Sequence, residues 1–330
     1  MVLPNGFELD FVPKGQKYVA ARRKARRRIF EVAEALMGTP FSDDTLIVST
    51  SGRYEWKNKG IDVYLEGLAR LRDRAEELRR PVLALVEVPA WQAGPREDLK
   101  LRIESSSSIS ASKKSVSTEV SVPVGSADAL DSPFITHVLR EPWNDPATAF
   151  LRDRGFQNLP ADRVKVMFIP CYLDGADGIF NLHYYELLLG LDLTVYPSYY
   201  EPWGYTPLES VAFHVPCLTT TLAGFGVWAE ELKSQGHTTA VNGQLEGVLD
   251  CCHLDTDGVE VIRRTDYNYN EVADRIASEI LGYAALDKKQ VDTARKAAAA
   301  LAQKALWKNF FQYYRQAYTL ALTRAEQRNK

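Results

Sequence analysis

Two glutamates, Glu201 and Glu209, bracket the last part of the segment YPSYYEPWGYTPLE (196–209). Its start reads as the end of a strand, its Pro/Gly-rich centre as a turn, and its close as a helix opening at Thr206. Thr206 is the expected N-cap and Pro207 the expected first helical residue. A helix start in that place offers free N–H groups and a positive dipole end to a phosphate. The two carboxylates are acceptors suited to the hydroxyls of a polyol. The blander alternative is a plain turn before a helix with an acidic first turn. A Pro-Trp-Gly-Tyr-Thr-Pro turn between two glutamates is more particular than that alternative requires. A second segment, SGRYEWKNKG (51–60), also joins a strand end to a helix start. Its Arg53 and Lys59 are cations suited to a diphosphate that departs as an anion. Taken singly they would read as solvated loop charges; placed at the same sheet edge as the first segment, they read as part of one site.

The elements that must hold these segments alternate between strand and helix, which points to an α/β doubly wound parallel sheet of Rossmann-like type. Helix is expected over 15–37, then strand over 45–50. Apolar residues at Ile61, Leu65, Leu68, Leu71, Ala75 and Leu78 repeat with a helical period. Strands are expected at 82–88, 164–169, 193–196 and 216–221, with helices near 182–189 and from 206. These strand runs are continuously apolar, as strands covered on both faces are. In open sheets of this kind ligands bind at the carboxyl ends of the strands, where both segments lie. Residues 91–160 interrupt the rhythm as an insertion, and the Ser-rich stretch from Ser105 to Val122 is expected to be a loop or weak hairpin. From about Asp287 the chain is expected to be helical, ending in the aromatic cluster Trp307, Phe310, Phe311, Tyr313, Tyr314 and Tyr318, which must pack on something. A neighbouring domain is one candidate.

Composition narrows the function classes. The chain has 330 residues, 45% hydrophobic and 25% charged, with a net charge of -3. No apolar run approaches the ~20 residues of a membrane span, and the N-terminus lacks the pattern of a signal peptide; a cytoplasmic protein is expected. Cys171, Cys217, Cys251 and Cys252 have no CxxC spacing and read as reduced core thiols. The five histidines, His137, His183, His214, His237 and His253, have no metal-ligand spacing, and no GxSxG motif supports a serine nucleophile. The basic run 22–28 invites a nucleic-acid reading. On a helix, however, its charges point around several faces while Ile29, Val32 and Leu36 mark a core stripe. A solvated face, or one touching phosphate or polysaccharide, is the expectation.

The segments SGRYEWKNKG, ADRVKV (161–166) and YPSYYEPWGYTPLE resemble glycogen synthases of the animal and fungal type. The stretch TTTLAGFG (219–226), Leu3-Pro-Asn-Gly6, Trp307-Lys308 and Tyr313-Tyr314 are similar to further points of that family. Glu201 and Glu209 match the E-x7-E pattern of retaining glycosyltransferases with two Rossmann domains, the GT-B architecture. The resemblance implies that residues 1–330 are the C-terminal, donor-binding half. It also implies roles: Arg53 and Lys59 hold the donor diphosphate and stabilise departing UDP, and Tyr184 stacks on uracil. Tyr172 and Leu173 line the base pocket, and Tyr205 and Thr206 bring amides to the phosphates. Glu209 binds ribose hydroxyls, and Glu201 engages the transferred glucose. The implied reaction moves glucose from UDP-glucose to the 4-hydroxyl of an α-1,4-glucan with retention, with no metal or other cofactor. Implied partners are UDP-glucose, UDP, a glucan acceptor and an N-terminal Rossmann domain; a homo-oligomer of the full-length protein is compatible, while nucleic acid and membrane are not expected. The chain begins where that first domain would end in the family, so little turnover is expected of it alone. Rival expectations are a sucrose or trehalose synthase, or a non-catalytic module that binds sugar nucleotide or glucan.

Overall fold

Continuous apolar runs demand cover on both faces, and the computed structural model of the protein provides it. The structure describes residues 3–111, 133–234, 239–241, 244–246 and 251–328. Six strands form one parallel sheet: β1 (Leu46–Ser51), β2 (Val82–Glu87), β5 (Val164–Ile169), β6 (Leu193–Val195), β7 (Cys217–Thr220) and β10 (Val259–Ile262). Their spatial order is β10-β7-β6-β1-β2-β5. From β1 the chain builds outward through β2 and β5, returns to lay β6 on the other side of β1, and continues to β7 and β10. Two antiparallel pairs lie outside the sheet, β3 (Gln92–Pro95) with β4 (His137–Leu139) and β8 (Thr239–Val241) with β9 (Gln244–Glu246).

The pleat divides each central strand between two cores. Leu46, Val48, Ala84, Val166 and Phe168 face a layer made by α2 (Ile61–Asp73) and α9 (Tyr269–Ala285). Ile47, Leu83, Leu85, Met167 and Ile169 face the other layer, formed by α1 (Gly15–Met37), α5 (Tyr184–Leu188), α6 (Tyr205–Ala212) and α10 (Lys288–Lys304). The crossover from β2 to β5 carries the first antiparallel pair with α3 (Glu97–Ala111) and α4 (Pro146–Asp153). The Ser-rich stretch therefore opens as helix rather than as loop or hairpin. Ser105 and Ser106 turn their hydroxyls back to the carbonyls of Leu101 and Arg102, at 2.7 and 2.9 Å, which spares the backbone ladder. Its continuation from 112 lies outside the described residues, as does His237.

The basic run on α1 is not one solvated face. Arg22 and Arg26 turn inward and grip the buried Asp192 at 2.6 and 2.7 Å, while the Ile47 amide donates to the same carboxylate. The two guanidiniums hold the Asp192 carboxyl well below the usual range. This knot ties α1 to β1 and to the start of β6.

The C-terminal aromatics divide. In α11 (Trp307–Arg328), Phe310 packs edge-on against Trp203 and Trp228, and Tyr314 reaches Asn5 at 3.2 Å. Phe311 and Tyr318 remain exposed. The remaining helices are α7 (Gly224–Lys233), which follows β7, and the short α8 (Leu254–Asp257) before β10. Among the described residues no helix is long and apolar enough to cross a membrane.

Candidate functional site

Strand order reverses between β1 and β6, and at such a point the loops leaving two neighbouring strands part in opposite directions and open a crevice. The loops concerned are 52–60 and 196–204, the two segments singled out in the sequence. They are tied together by the Tyr199 amide, which donates to the Asn58 carbonyl at 2.8 Å. Across the crevice the Lys59 ammonium forms an ion pair with Glu201, both largely buried. Gly60 makes the approach feasible: its φ is 69°, and a Cβ there would stand 2.0 Å from the Pro197 oxygen. Glu201 is held from behind by its backbone, receiving the Gly224 amide at 3.0 Å and donating to Leu222 at 3.1 Å. The TTTLAGFG stretch is thus the support of the Glu201 loop.

α6 begins two residues earlier than the expected Thr206 cap and Pro207 start. Its N-cap is Gly204, with φ 104° and ψ 82°, so Thr206 and Pro207 are the second and third helical residues. The turn reaches the helix through a left-handed residue that glycine tolerates and threonine does not, which displaces the expected Thr206 cap. The shift decides which amides are on offer: Tyr205 and Thr206 carry N–H groups and Pro207 has none. Tyr205 is exposed and Thr206 half-buried.

Below the helix start, Glu209 accepts a hydrogen bond from the Tyr185 hydroxyl at 2.7 Å. Burial pushes its carboxyl up from the ordinary value. The Tyr185 ring stacks on Phe213 at 4.9 Å, which fixes the donor to Glu209. Tyr184, beside it, is half-buried, and its hydroxyl meets Ser51 at 2.9 Å. From Ser51 a polar string runs through Tyr196 (3.4 Å) to Ser210 (3.0 Å) and Thr194 (2.9 Å). It links the ends of β1 and β6 to α6. The Tyr184 amide donates to the Leu173 carbonyl at 2.9 Å, bringing those two residues together; the Tyr172 ring, next to Leu173, is 75% exposed. Arg53 stands apart from the Lys59–Glu201 pair, exposed and bonded to Glu55 at 2.7 Å.

Several groups at this edge escaped the sequence reading. Tyr185 orients Glu209, Ser51 and Tyr196 carry the polar string, and two charges lie under the crevice. Glu87, at the end of β2, is buried with one oxygen on the Ser49 hydroxyl at 2.6 Å and the other without a partner. Burial pushes its carboxyl up to about 7. Arg264, just past β10, is buried under Gly60 with its cation over the Tyr199 ring at 5.5 Å. Only the Tyr184–Tyr185 doublet was visible locally; the others depend on chain segments far apart in sequence.

His137, Cys171 and Asp177 also meet, their candidate ligand atoms within 4.8 Å of one another. Both imidazole nitrogens are already engaged, by the Thr136 hydroxyl at 2.8 Å and the Asp177 carbonyl at 3.1 Å. The Asp177 carboxylate accepts the amides of Ile179, Phe180 and Asn181. Burial pushes the Cys171 thiol up to about 12. Hydrogen bonding accounts for this group as a structural knot at the root of the 172–183 loop.

Comparison with known proteins places this geometry in a family. The glycogen synthase family model matches residues 99–329. The glycogen [starch] synthase of Neurospora crassa is 27% identical over 98% of this chain and 49% of its own length. Isoform 2 of Saccharomyces cerevisiae is 33% identical over 58% of this chain and 33% of its own length. The human liver enzyme is 26% identical over 86% of this chain and 42% of its own length. The chain thus spans about half the length, or less, of the curated relatives it matches. Among solved structures, Anabaena HepE, in complex with UDP and glucose, overlaps with a TM-score of 0.47 at 13% identity, over 97% of this chain and 56% of that one. With a family model matched over more than two thirds of its residues, in a region that includes the Glu201 loop and α6, the chain belongs to the glycogen synthase family.

Proposed function

We propose that this chain is the donor-binding half of a retaining glucosyltransferase that takes UDP-glucose and extends an α-1,4-glucan at the 4-hydroxyl. The observation that carries this reading is the Lys59–Glu201 pair across the β1/β6 crevice, with the amides of Tyr205 and Thr206 at the adjoining helix start. In this reading the diphosphate lies between Lys59 and those two amides, with Arg53 swinging in from solvent. These cations and the helix dipole offset the charge that builds on the departing UDP, the task a metal performs elsewhere. Uracil stacks on the Tyr184 ring, with Tyr172 and Leu173 closing the base pocket. Glu209, held by Tyr185, accepts from the ribose hydroxyls. Glu201 accepts from a glucose hydroxyl and fixes the sugar near the bond that breaks. That bond joins the anomeric carbon to the β-phosphate oxygen. The new bond joins the same carbon, with retained configuration, to the glucan 4-oxygen, whose proton leaves with UDP.

The half-length match favours one further reading, a sugar-nucleotide-binding module that turns nothing over. Both readings begin with binding. Calorimetric titration with UDP, ADP and UDP-glucose is expected to show saturable UDP binding, stronger than ADP binding and lost in Arg53→Ala and Glu209→Ala. Binding that survives both substitutions would remove the donor site from this crevice.

A further inference from the structure

β2 closes on a carboxyl, although its preceding residues Leu83, Leu85 and Val86 are apolar and buried. Glu87 is 5% exposed, with the Ser49 hydroxyl on one oxygen and no partner for the other. Among the described residues no lysine or arginine forms an ion pair with it. The titratable groups that face it are Tyr64 from α2, Tyr184 from α5 and Cys171 just past β5. Burial pushes all three up, so each keeps its proton at neutrality and none offsets a negative charge. A buried carboxylate with a single donor is costly, and taking up a proton relieves the cost. That is why this carboxyl titrates at about 7.

Its place in the fold brings it within reach of the crevice. Glu87 is the register partner of Ser51, and its carbonyl accepts the Gly52 amide at 3.3 Å, where the 52–60 loop leaves β1. Ser49 and Ser51 lie on one face of β1. Ser49 holds the Glu87 carboxyl, and Ser51 meets the Tyr184 hydroxyl. The carboxyl and the ring assigned to uracil therefore hang from neighbouring points of the same strand. A ligand seated over Tyr184 removes water from this edge, and a diphosphate brings negative charge to it. Both changes disfavour the ionised carboxyl. We infer that donor binding is coupled to a proton at Glu87: UDP-glucose seated on Tyr184 draws one proton onto this carboxyl, and the chain holds the donor more tightly as the solution turns acidic. The coupling rests on the reading of the crevice as the donor site. Glu87 is a positioning residue in it, acting from beneath Tyr184 and not by touching the sugar nucleotide.

UDP-glucose is the probe because, unlike UDP, it carries no terminal phosphate that titrates near neutrality. It is titrated calorimetrically into the whole chain at about pH 6 and about pH 8, in buffers of differing ionisation heat, so that proton uptake is read together with affinity. The unaltered protein is expected to take up about half a proton per ligand near pH 7 and to bind about five- to tenfold more weakly at the higher pH. Glu87→Gln, uncharged and of the same shape, should lose most of both effects. Glu209, the other carboxyl that burial raises at this edge, is the same in both chains, so the difference between them belongs to Glu87. Ser49→Ala removes the one donor that favours the charged form, so the pH dependence should move to higher pH and not vanish. A merely structural role for Glu87 would not produce that movement. Circular dichroism checks that the variants fold. Absence of proton uptake by the unaltered protein, or the same pH dependence in Glu87→Gln, overturns the coupling and leaves the donor site standing. Failure of UDP-glucose to bind at either pH overturns the donor reading and the coupling together.

Discussion

At the scale of single residues the site is a set of charges already matched to each other. Lys59 and Glu201 neutralise one another across the crevice, so in the proposed reading an incoming diphosphate takes Lys59 over from a carboxylate. Removing one partner strands the other in a half-buried position. Lys59→Ala is therefore expected to weaken UDP binding about tenfold or more, measured by calorimetry. Glu201→Gln, which keeps shape and frees Lys59, should leave UDP binding intact or tighter while lowering glucosyl transfer in a polypeptide that also supplies the rest of the relatives' length. Equal loss of UDP binding in both variants would count against these roles. Glu87 makes a separate prediction about pH. Its folded value of about 7 lies above the ordinary 4.5. Its contribution to stability is therefore fully present below about pH 4.5 and lost as pH rises through about 7, on the order of 3 kcal/mol at most. Urea unfolding of Glu87→Gln should show a flatter stability profile across that window; a slope equal to that of the unaltered protein would sink the assignment. The motif residues Lys59 and Glu201 were legible because each sits in a short segment with its own turn chemistry. Glu87 and Arg264 were not, because nothing local marks a charge that burial alone makes unusual.

At the scale of elements, strand existence was easier to read than helix starts. β5 falls at the expected 164–169, and the other expected strands differ from the observed ones by a residue at one or both ends. Continuous apolar runs bounded by turn residues leave little choice. The start of α6 was misread because Thr-Pro is a favourable cap pair locally, while the loop geometry imposed by Pro202 to Gly204 puts the left-handed residue first. The Ser-rich start was misread as loop because composition hides the i−4 hydroxyl bonds that let serine remain in α3. The loop between β1 and α2 depends on Gly60, where a Cβ would meet a backbone carbonyl at 2.0 Å and the Arg264 guanidinium at 2.7 Å. Gly60→Ala is expected to cost about 3 kcal/mol or more, since the conformation and the contact are both unfavourable. Denaturant midpoints measure this, and an unchanged midpoint would contradict the close packing described.

At the scale of the whole molecule, one parallel sheet with helices on both faces forms the body of the described residues, with two antiparallel pairs beside it, and the sheet with its covering helices followed from the alternation of apolar runs. Which strand neighbours which did not follow, since the return from β5 to β6 is a matter of tertiary packing. The chain matches 42% to 49% of the length of the Neurospora and human relatives. Phe311, Tyr318, Leu320 and Leu322 on α11 are exposed. With the proposed donor half alone, UDP binding is expected without appreciable transfer to glucan, and transfer should appear when the rest of the relatives' length is supplied in the same polypeptide. A radiolabelled transfer assay on the two polypeptides checks this. Comparable rates in both would show that the crevice is catalytically sufficient.

The reversal of strand order also has a consequence in time. Val48 in β1 pairs with Leu193, which leaves the ribosome about 145 residues after it, once β2 and β5 have been made. At ordinary elongation rates the interval is roughly ten to thirty seconds. Throughout it the nascent sheet has a central strand with one bare, apolar edge, the geometry most prone to pairing with a stranger. The β1/β6 crevice thus comes into being only with the fourth of the sheet's six strands. A product stalled before residue 193 would carry no crevice and would be a candidate for capture by chaperones or for aggregation.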